Sequence, residues 1–242
     1  MSIKIVSRNK GKSAVAAAAY RAGEKIKNDY DGVIHDYTRK SGIAHTEILL
    51  PDHAPDEYSD RAVLWNAVEK IEKAKNAQLA REIEIALPVE LSAGQNISLV
   101  REYVSRHFVN KGMCADVCIH DKNDGNPHAH ILLTMRPIEP DGTWGAKSRK
   151  EYILDEHGEK IILKSGEEKS RKVNATDWND QTKAEEWRYG WAELCNRFLE
   201  QNSDAERIDH RSYERQGIEQ IPTIHLGVAA SAMEKRGIRT ER

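Results

Sequence analysis

The sequence predicts an α+β fold built on an antiparallel sheet. Three observations carry that prediction. Segments that alternate apolar and polar residues stand beside segments with apolar residues at helical spacing, in irregular order. Adjacent strand segments are joined by short loops, whereas a parallel doubly wound sheet needs a helical crossover between strands. The chain has 242 residues, 39% of them hydrophobic, enough for one substantial core.

The elements follow in order. Ser2–Ser7 (SIKIVS) alternates and reads as a strand. Lys12–Ile26 is Ala-rich and reads as a helix containing Tyr20. Lys27–Ser41 is polar, with glycines and aspartates, and reads as a loop or short hairpin. Thr46–Leu50 reads as a short strand ended by Pro51. Ser59–Lys75 places Val63, Leu64, Ala67, Val68 and Ile71 at helical spacing. Ala80–Leu87 (AREIEIAL) alternates strictly, putting Ile83, Ile85 and Leu87 on one face and Glu82 and Glu84 on the other.

Ser92–Lys111 reads as a helix with a Ser92/Gln95 capping box and Gly112 just past its end. Met113–His120 and His130–Arg136 read as strands around the turn-rich loop Asp121–Pro127. Residues 137–176 read as a charged insertion, with Tyr152–Leu154 and Lys160–Leu163 flanking a DEHGE turn. Asp177–Gln201 reads as a helix with Trp187, Trp191, Leu194 and Phe198 on one stripe. After Asp204 the chain is charged and irregular until an Ala-rich stretch at Val228–Lys235. Residues 1–242 are read as a single domain, the N-terminal part of a longer protein.

Composition excludes several classes. No apolar stretch is long enough to span a membrane, and MSIKIVSRNKGK lacks the apolar core of a signal peptide. A cytoplasmic location is expected. Cys114, Cys118 and Cys195 are odd in number and form no C-x-x-C, so neither a disulfide framework nor a cysteine-ligated zinc is expected. The net charge is −2, but Met1–Leu50 carries nine basic and five acidic residues, a modest basic surface that suits phosphate.

The sharpest feature is His120-DKNDGNP-His128-Ala129-His130. Residues two apart on a strand share a face, and a short antiparallel return sets His120 across from the pair. Three imidazoles then suit a divalent transition metal and leave positions for substrate or water. Glu82 and Glu84 repeat the two-residue spacing. They could polarise a nucleophile, reach a metal through water, orient a histidine, or be an ordinary solvent-facing edge. Gly11-Lys12-Ser13 ends like a P-loop, but Val6 stands where that motif needs glycine. H-E-x-x-H and G-x-S-x-G are absent.

With a histidine trio on paired strands, a tyrosine on an Ala-rich helix and an acidic strand, the sequence resembles the MobA/MobL family of plasmid mobilisation relaxases, within the HUH endonucleases. The resemblance rests on AAAAYRAG (Ala16–Gly23), DVCIHDKNDGNPHAH (Asp116–His130) and ERIDHRSYERQGIEQIPTIHLG (Glu206–Gly227), and it spans nearly the whole chain. It implies a central antiparallel sheet flanked by helices, related to RNA-recognition-motif topology. It implies Tyr20 as nucleophile, although Tyr30 and Tyr37 lie close in sequence. It implies His120, His128 and His130 as ligands of a divalent cation, Mn²⁺ or Mg²⁺, with Glu82 and Glu84 near them.

The function so implied is nicking of single-stranded oriT DNA through a 5′-phosphotyrosine, with relaxosome accessory proteins and a coupling protein as partners. Arg8, Lys10, Lys12, Arg21, Arg211 and Tyr213 are the candidate DNA contacts. Three other functions fit the same residues: a rolling-circle replication initiator, a non-catalytic single-stranded DNA-binding module with a structural metal, and a metal hydrolase acting through bound water, for which Tyr20 would be dispensable. The order of tyrosine before histidines favours the relaxase.

Overall fold

A computed structural model describes residues 1–202, 204–220, 233 and 236–238. The Ala-rich stretch 228–235 therefore lies, except for residue 233, outside the described residues. The chain divides into two units, Met1–Ile208 and Asp209–Arg242. The second contains a single described turn of helix at Tyr213–Gln216.

The first unit runs β1 (Ser2–Ser7), α1 (Ala14–Ala22), β2 (Lys25–Lys27), β3 (Ile34–Asp36), β4 (Ile43–Leu49), α2 (Arg61–Ile71), β5 (Gln78–Ala86), α3 (Ala93–His107), β6 (Ala115–His120), β7 (His128–Thr134), β8 (Ser148–Tyr152), β9 (Ser170–Asn174) and α4 (Gln181–Gln201). Five strands form one antiparallel sheet in the order β1-β5-β7-β6-β4. The α+β antiparallel architecture is thus present, and β7, which carries two of the candidate histidines, is its central strand.

Strict alternation sorts the side chains into two cores. Ile83, Ile85, Val117, Ile119, Ile131 and Leu133 face one side, where they meet Leu99, Tyr103 and Phe108 of and after α3 and Trp187 and Trp191 of α4. Fully burying each large side chain is worth about 1.5–3 kcal/mol, so this layer is a major share of the fold's driving force. Ala80 and Leu132 face the other side, against Ala14, Val15, Ala18 and Ala19 of α1 and Leu64, Trp65 and Val68 of α2. The small alanine face lets the α1 backbone lie close to the sheet. Helices cover this second face only in part; Glu82, Glu84 and the histidines occupy the rest.

Several boundaries differ from expectation for local reasons. The first helix stops at Ala22 rather than Ile26, because Gly23 takes a left-handed conformation (φ 66°) and its N–H caps the Ala19 carbonyl. Ile26 is then the buried centre of a short strand that pairs with His35. β4 begins earlier than expected, at Ile43, which pairs with His120. The last long helix starts at Gln181 rather than Asp177. In the expected insertion, Leu154 bridges Lys160 around the DEHGE turn, but the main ribbon is wider, joining β8 to β9. The Ser92/Gln95 capping box is complete in both directions. All three cysteines are buried and free. Among the described residues no helix is long and apolar enough to cross a membrane.

Gly23 is required by backbone conformation. A Cβ there would also lie 2.3 Å from Ile43 Cδ1. The isoleucine tip can yield, but the left-handed backbone costs an L-residue about 1–2 kcal/mol. Gly23→Ala is therefore expected to lower the thermal midpoint by about 2–8 °C in a chain of this size, read by differential scanning calorimetry. An unchanged midpoint would mean that α1 can end without this turn.

Candidate active site

Strand register brings the histidines together. His128 pairs directly with His120 across β6–β7, and His130 pairs with Cys118 on one side and Glu84 on the other. His120, His128, His130, Glu82 and Glu84 therefore lie on the same face of three central strands. Ring centroids are 4.7 Å apart for His120–His130, 5.2 Å for His128–His130 and 5.4 Å for His120–His128. One ligand atom from each ring falls within 4.8 Å of the others, and Glu82, Glu84 and His130 form a second group of the same compactness.

Hydrogen bonds show which ring nitrogens are committed. His130 Nδ1 lies 3.0 Å from Glu82 Oε1, His128 Nδ1 2.8 Å from the Asn126 carbonyl, and His120 Nε2 2.7 Å from the Arg21 carbonyl. Each of these oxygens is an acceptor, so each of these nitrogens donates. That leaves one lone pair per ring: His120 Nδ1, His128 Nε2 and His130 Nε2. Metal-ligating histidines commonly donate their other N–H to an oxygen in this way, so the donor set fits a divalent cation. Burial also lowers the His120 pKa to about 4, which keeps that ring neutral at physiological pH.

Glu82 is buried and fixed. Burial works against its charge, but hydrogen bonds from His130 and Arg21 hold its pKa at about 2. Arg21 Nε donates to Glu82 Oε1 at 2.7 Å. An acid so depressed is a poor proton acceptor, and its geometry is that of a group orienting His130. Glu84 is paired with Lys4 at 2.9 Å, which likewise lowers its pKa against the effect of burial.

Tyr20 sits near the C-terminal end of α1 and is 50% exposed. Lys40 lies between it and His120. Lys40 Nζ lies 3.9 Å from the Tyr20 ring centroid, donates to the Tyr20 carbonyl at 2.8 Å and stands 3.5 Å from His120 Nε2. Burial, with Arg21 and Lys122 nearby, lowers the Lys40 pKa to about 8. Tyr37 packs edge-on against Tyr20 at 5.2 Å. Tyr20, Arg21, Lys12 and Glu82 also line a cavity of about 300 Å³ beside β1. Tyr30 is engaged elsewhere, beneath the Arg8 guanidinium at 4.2 Å.

The candidate phosphate contacts divide. Lys10 and Lys12 are exposed beside α1. Both terminal nitrogens of Arg8 are engaged: it pairs with Glu69 at 2.6 Å and donates to the carbonyls of Glu69, Glu72 and Ala74, fastening the end of β1 to α2. Arg21 is spent on Glu82 and on the Ala17 carbonyl at 2.6 Å. In both cases the sequence shows a positive charge but not its distant carboxylate partner. Arg211 and Tyr213 belong to the second unit, where Arg211 pairs with Asp209 at 2.6 Å and Tyr213 is 39% exposed. Lys40 escaped the sequence reading because nothing in a polar hairpin region distinguishes one lysine from another.

Residues 12–236 match the MobA/MobL family. The chain is 44% identical to the conjugal transfer protein TraA of Rhizobium radiobacter, across 99% of this chain and 22% of that protein. It is 38% identical to the probable mobilization protein MobA of Bifidobacterium longum, across 100% of this chain and 45% of that protein. It is 38% identical to the mobilization protein MobL of Acidithiobacillus ferridurans, across 98% of this chain and 63% of that protein. The chain thus spans less than two thirds of each of these relatives. A solved structure described as "Molecular Basis of Vancomycin Resistance Transfer in Staphylococcus aureus" superimposes with a TM-score of 0.74 at 35% identity, covering 88% of this chain and 97% of that one.

Proposed function

Because the chain belongs to the MobA/MobL family, we propose that it is a DNA relaxase acting in plasmid mobilisation and conjugative transfer, nicking one strand of single-stranded oriT DNA by tyrosine transesterification. The observation that carries this reading is an exposed tyrosine whose helix neighbour Arg21 accepts from His120 through its carbonyl, beside three histidines that each offer a ligand atom within 4.8 Å of the others. The relatives named for conjugal transfer and mobilisation support the biological setting.

The Tyr20 hydroxyl attacks the scissile phosphorus. The P–O3′ bond breaks, the phenolic proton passes to solvent, and the departing 3′ oxygen takes up a proton. The products are a 5′-phosphotyrosine and a free 3′-hydroxyl, and the reverse reaction rejoins the strand without another energy source. A free tyrosine titrates near ~10, so its anion needs stabilising at neutral pH. The Lys40 ammonium on the ring face supplies positive field there. Glu82 serves by holding His130, since its proton affinity is too low for a general base. His120, His128 and His130 would hold a divalent cation, which when bound supplies charge stabilisation to the scissile phosphate. All-imidazole ligation suits Mn²⁺ better than Mg²⁺.

Lys10 and Lys12, with Arg211 and Tyr213, are proposed to contact the DNA. The setting is the cytoplasm, with relaxosome accessory proteins and a coupling protein as partners.

The test is incubation of the protein with Mn²⁺ and labelled single-stranded DNA carrying the cognate origin of transfer, resolved on a denaturing gel. A covalent protein–DNA adduct is expected, and EDTA should abolish it. Binding without cleavage under every divalent metal would favour a non-catalytic binding module instead.

A further inference from the structure

Arg21 is the residue next to the proposed nucleophile, and both of its ends are committed. Its guanidinium grips Glu82 through Nε at 2.7 Å and a terminal nitrogen at 2.5 Å, and Glu82 accepts from His130 Nδ1 at 3.0 Å. Its remaining terminal nitrogen donates to the Ala17 carbonyl, one turn back in α1, at 2.6 Å. Its own carbonyl accepts from His120 Nε2 at 2.7 Å. Two of the three imidazoles are therefore oriented through one residue of the helix that carries Tyr20. The pair is sheltered, with side-chain exposures of 13% for Arg21 and 8% for Glu82. A phosphate that recruited this guanidinium would compete with that pair.

We propose that Arg21 is a positioning residue that couples the Tyr20 helix to the metal-binding histidines, and that it does not grip DNA; this rests on the metal-dependent reading above. The residue type follows from the task. A guanidinium presents a planar fork that can hold a carboxylate and a helix carbonyl at once, whereas an ammonium cannot reproduce that geometry. The contacts make the last turn of α1 and the orientation of His120 and His130 one mechanical unit. A helix displaced from its place would misdirect the nucleophile and the ligands together.

The test measures Mn²⁺ affinity by electron paramagnetic resonance titration for the wild type, Arg21→Gln, Arg21→Lys, Glu82→Gln and the Arg21→Gln/Glu82→Gln double variant. Single-stranded DNA affinity is measured in EDTA across a salt series for the same proteins. Arg21→Gln is expected to weaken Mn²⁺ binding about 10–100-fold, the usual range for losing an outer partner of a ligand. Arg21→Lys should fall between wild type and Arg21→Gln. The double variant should be no weaker than the worse single, because both act through His130. Metal-free DNA affinity should stay within about twofold, with an unchanged salt slope.

Unchanged Mn²⁺ affinity in Arg21→Gln, with weaker DNA binding and a shallower salt slope, would overturn the proposal in favour of a phosphate contact. Additive losses in the double variant would overturn the route through Glu82. A wild type that binds no Mn²⁺ would overturn the metal reading itself, an outcome distinct from either.

Discussion

Tyr20→Phe is expected to abolish the covalent protein–DNA adduct while leaving the fold and the DNA affinity intact. The loss should exceed about 10³-fold, or about 4 kcal/mol of transition-state stabilisation, because phenylalanine lacks the attacking oxygen. The fold should survive because the side chain is half exposed and phenylalanine keeps its ring contacts with Lys40 and Tyr37. Tyr37 is the needed control. Its ring lies 5.2 Å from that of Tyr20, so it is the tyrosine best placed to substitute. Tyr37→Phe is expected to keep the adduct. If Tyr37→Phe abolishes it and Tyr20→Phe does not, the nucleophile is reassigned to the hairpin side of the pair. Cleavage by Tyr20→Phe without an adduct would make water the nucleophile and the protein a metal hydrolase. Intact-mass spectrometry of a peptide–nucleotide conjugate distinguishes all three outcomes.

What a single sequence discloses here follows the range of the interactions. The histidine trio was legible because its geometry is local: a two-residue spacing on one strand and a short turn to its neighbour set His120 opposite His128. The alternation around Glu82 was legible for the same reason, and Ile83 and Ile85 are indeed buried at 0% and 1%. The roles of Arg8 and Arg21 were not. Their carboxylate partners Glu69 and Glu82 each lie 61 residues away, and a charge pattern cannot announce a partner at that distance. The end of α1 illustrates a different loss. Helical composition continues past Ala22, but one left-handed glycine and the pairing of Ile26 with His35 override it. Tyr20 is intermediate. Its helix was legible, but its chemistry came from resemblance, and the contacts of the neighbouring Arg21 give that helix a physical link to the histidines.

Asp116→Ala is expected to produce a large stability loss, about 3–5 kcal/mol, through a charge left unpaired in the interior. Asp116 lies on β6, four residues before His120 and on the same face, and is 2% exposed. Its carboxylate accepts from Arg61 Nε at 2.9 Å, from Arg61 Nη2 at 3.0 Å and from Trp65 Nε1 at 2.9 Å. Arg61 also pairs with Glu24, just beyond the Gly23 turn, so one network joins α2, β6 and the end of the Tyr20 helix. Burial alone would lower the Arg61 pKa, and Asp116 raises it above the ordinary value instead.

Removing the aspartate strands that guanidinium, leaving among the described residues the more exposed Glu24 to pair with it. Against a total stability of about 5–15 kcal/mol, such a loss leaves a marginal fold. Replacing Arg61 by Met as well should recover part of the loss, since removing both charges relieves the stranded one. It should not recover all of it, because the Trp65 indole N–H would still lack its acceptor, at about 1–3 kcal/mol. Urea denaturation followed by tryptophan fluorescence measures each value. A cost below about 1 kcal/mol for Asp116→Ala would mean that water reaches Arg61 and that the network does not carry β6. A cost in the expected range, with Mn²⁺ affinity preserved at low temperature, would separate the frame that holds the site from the groups that perform its chemistry.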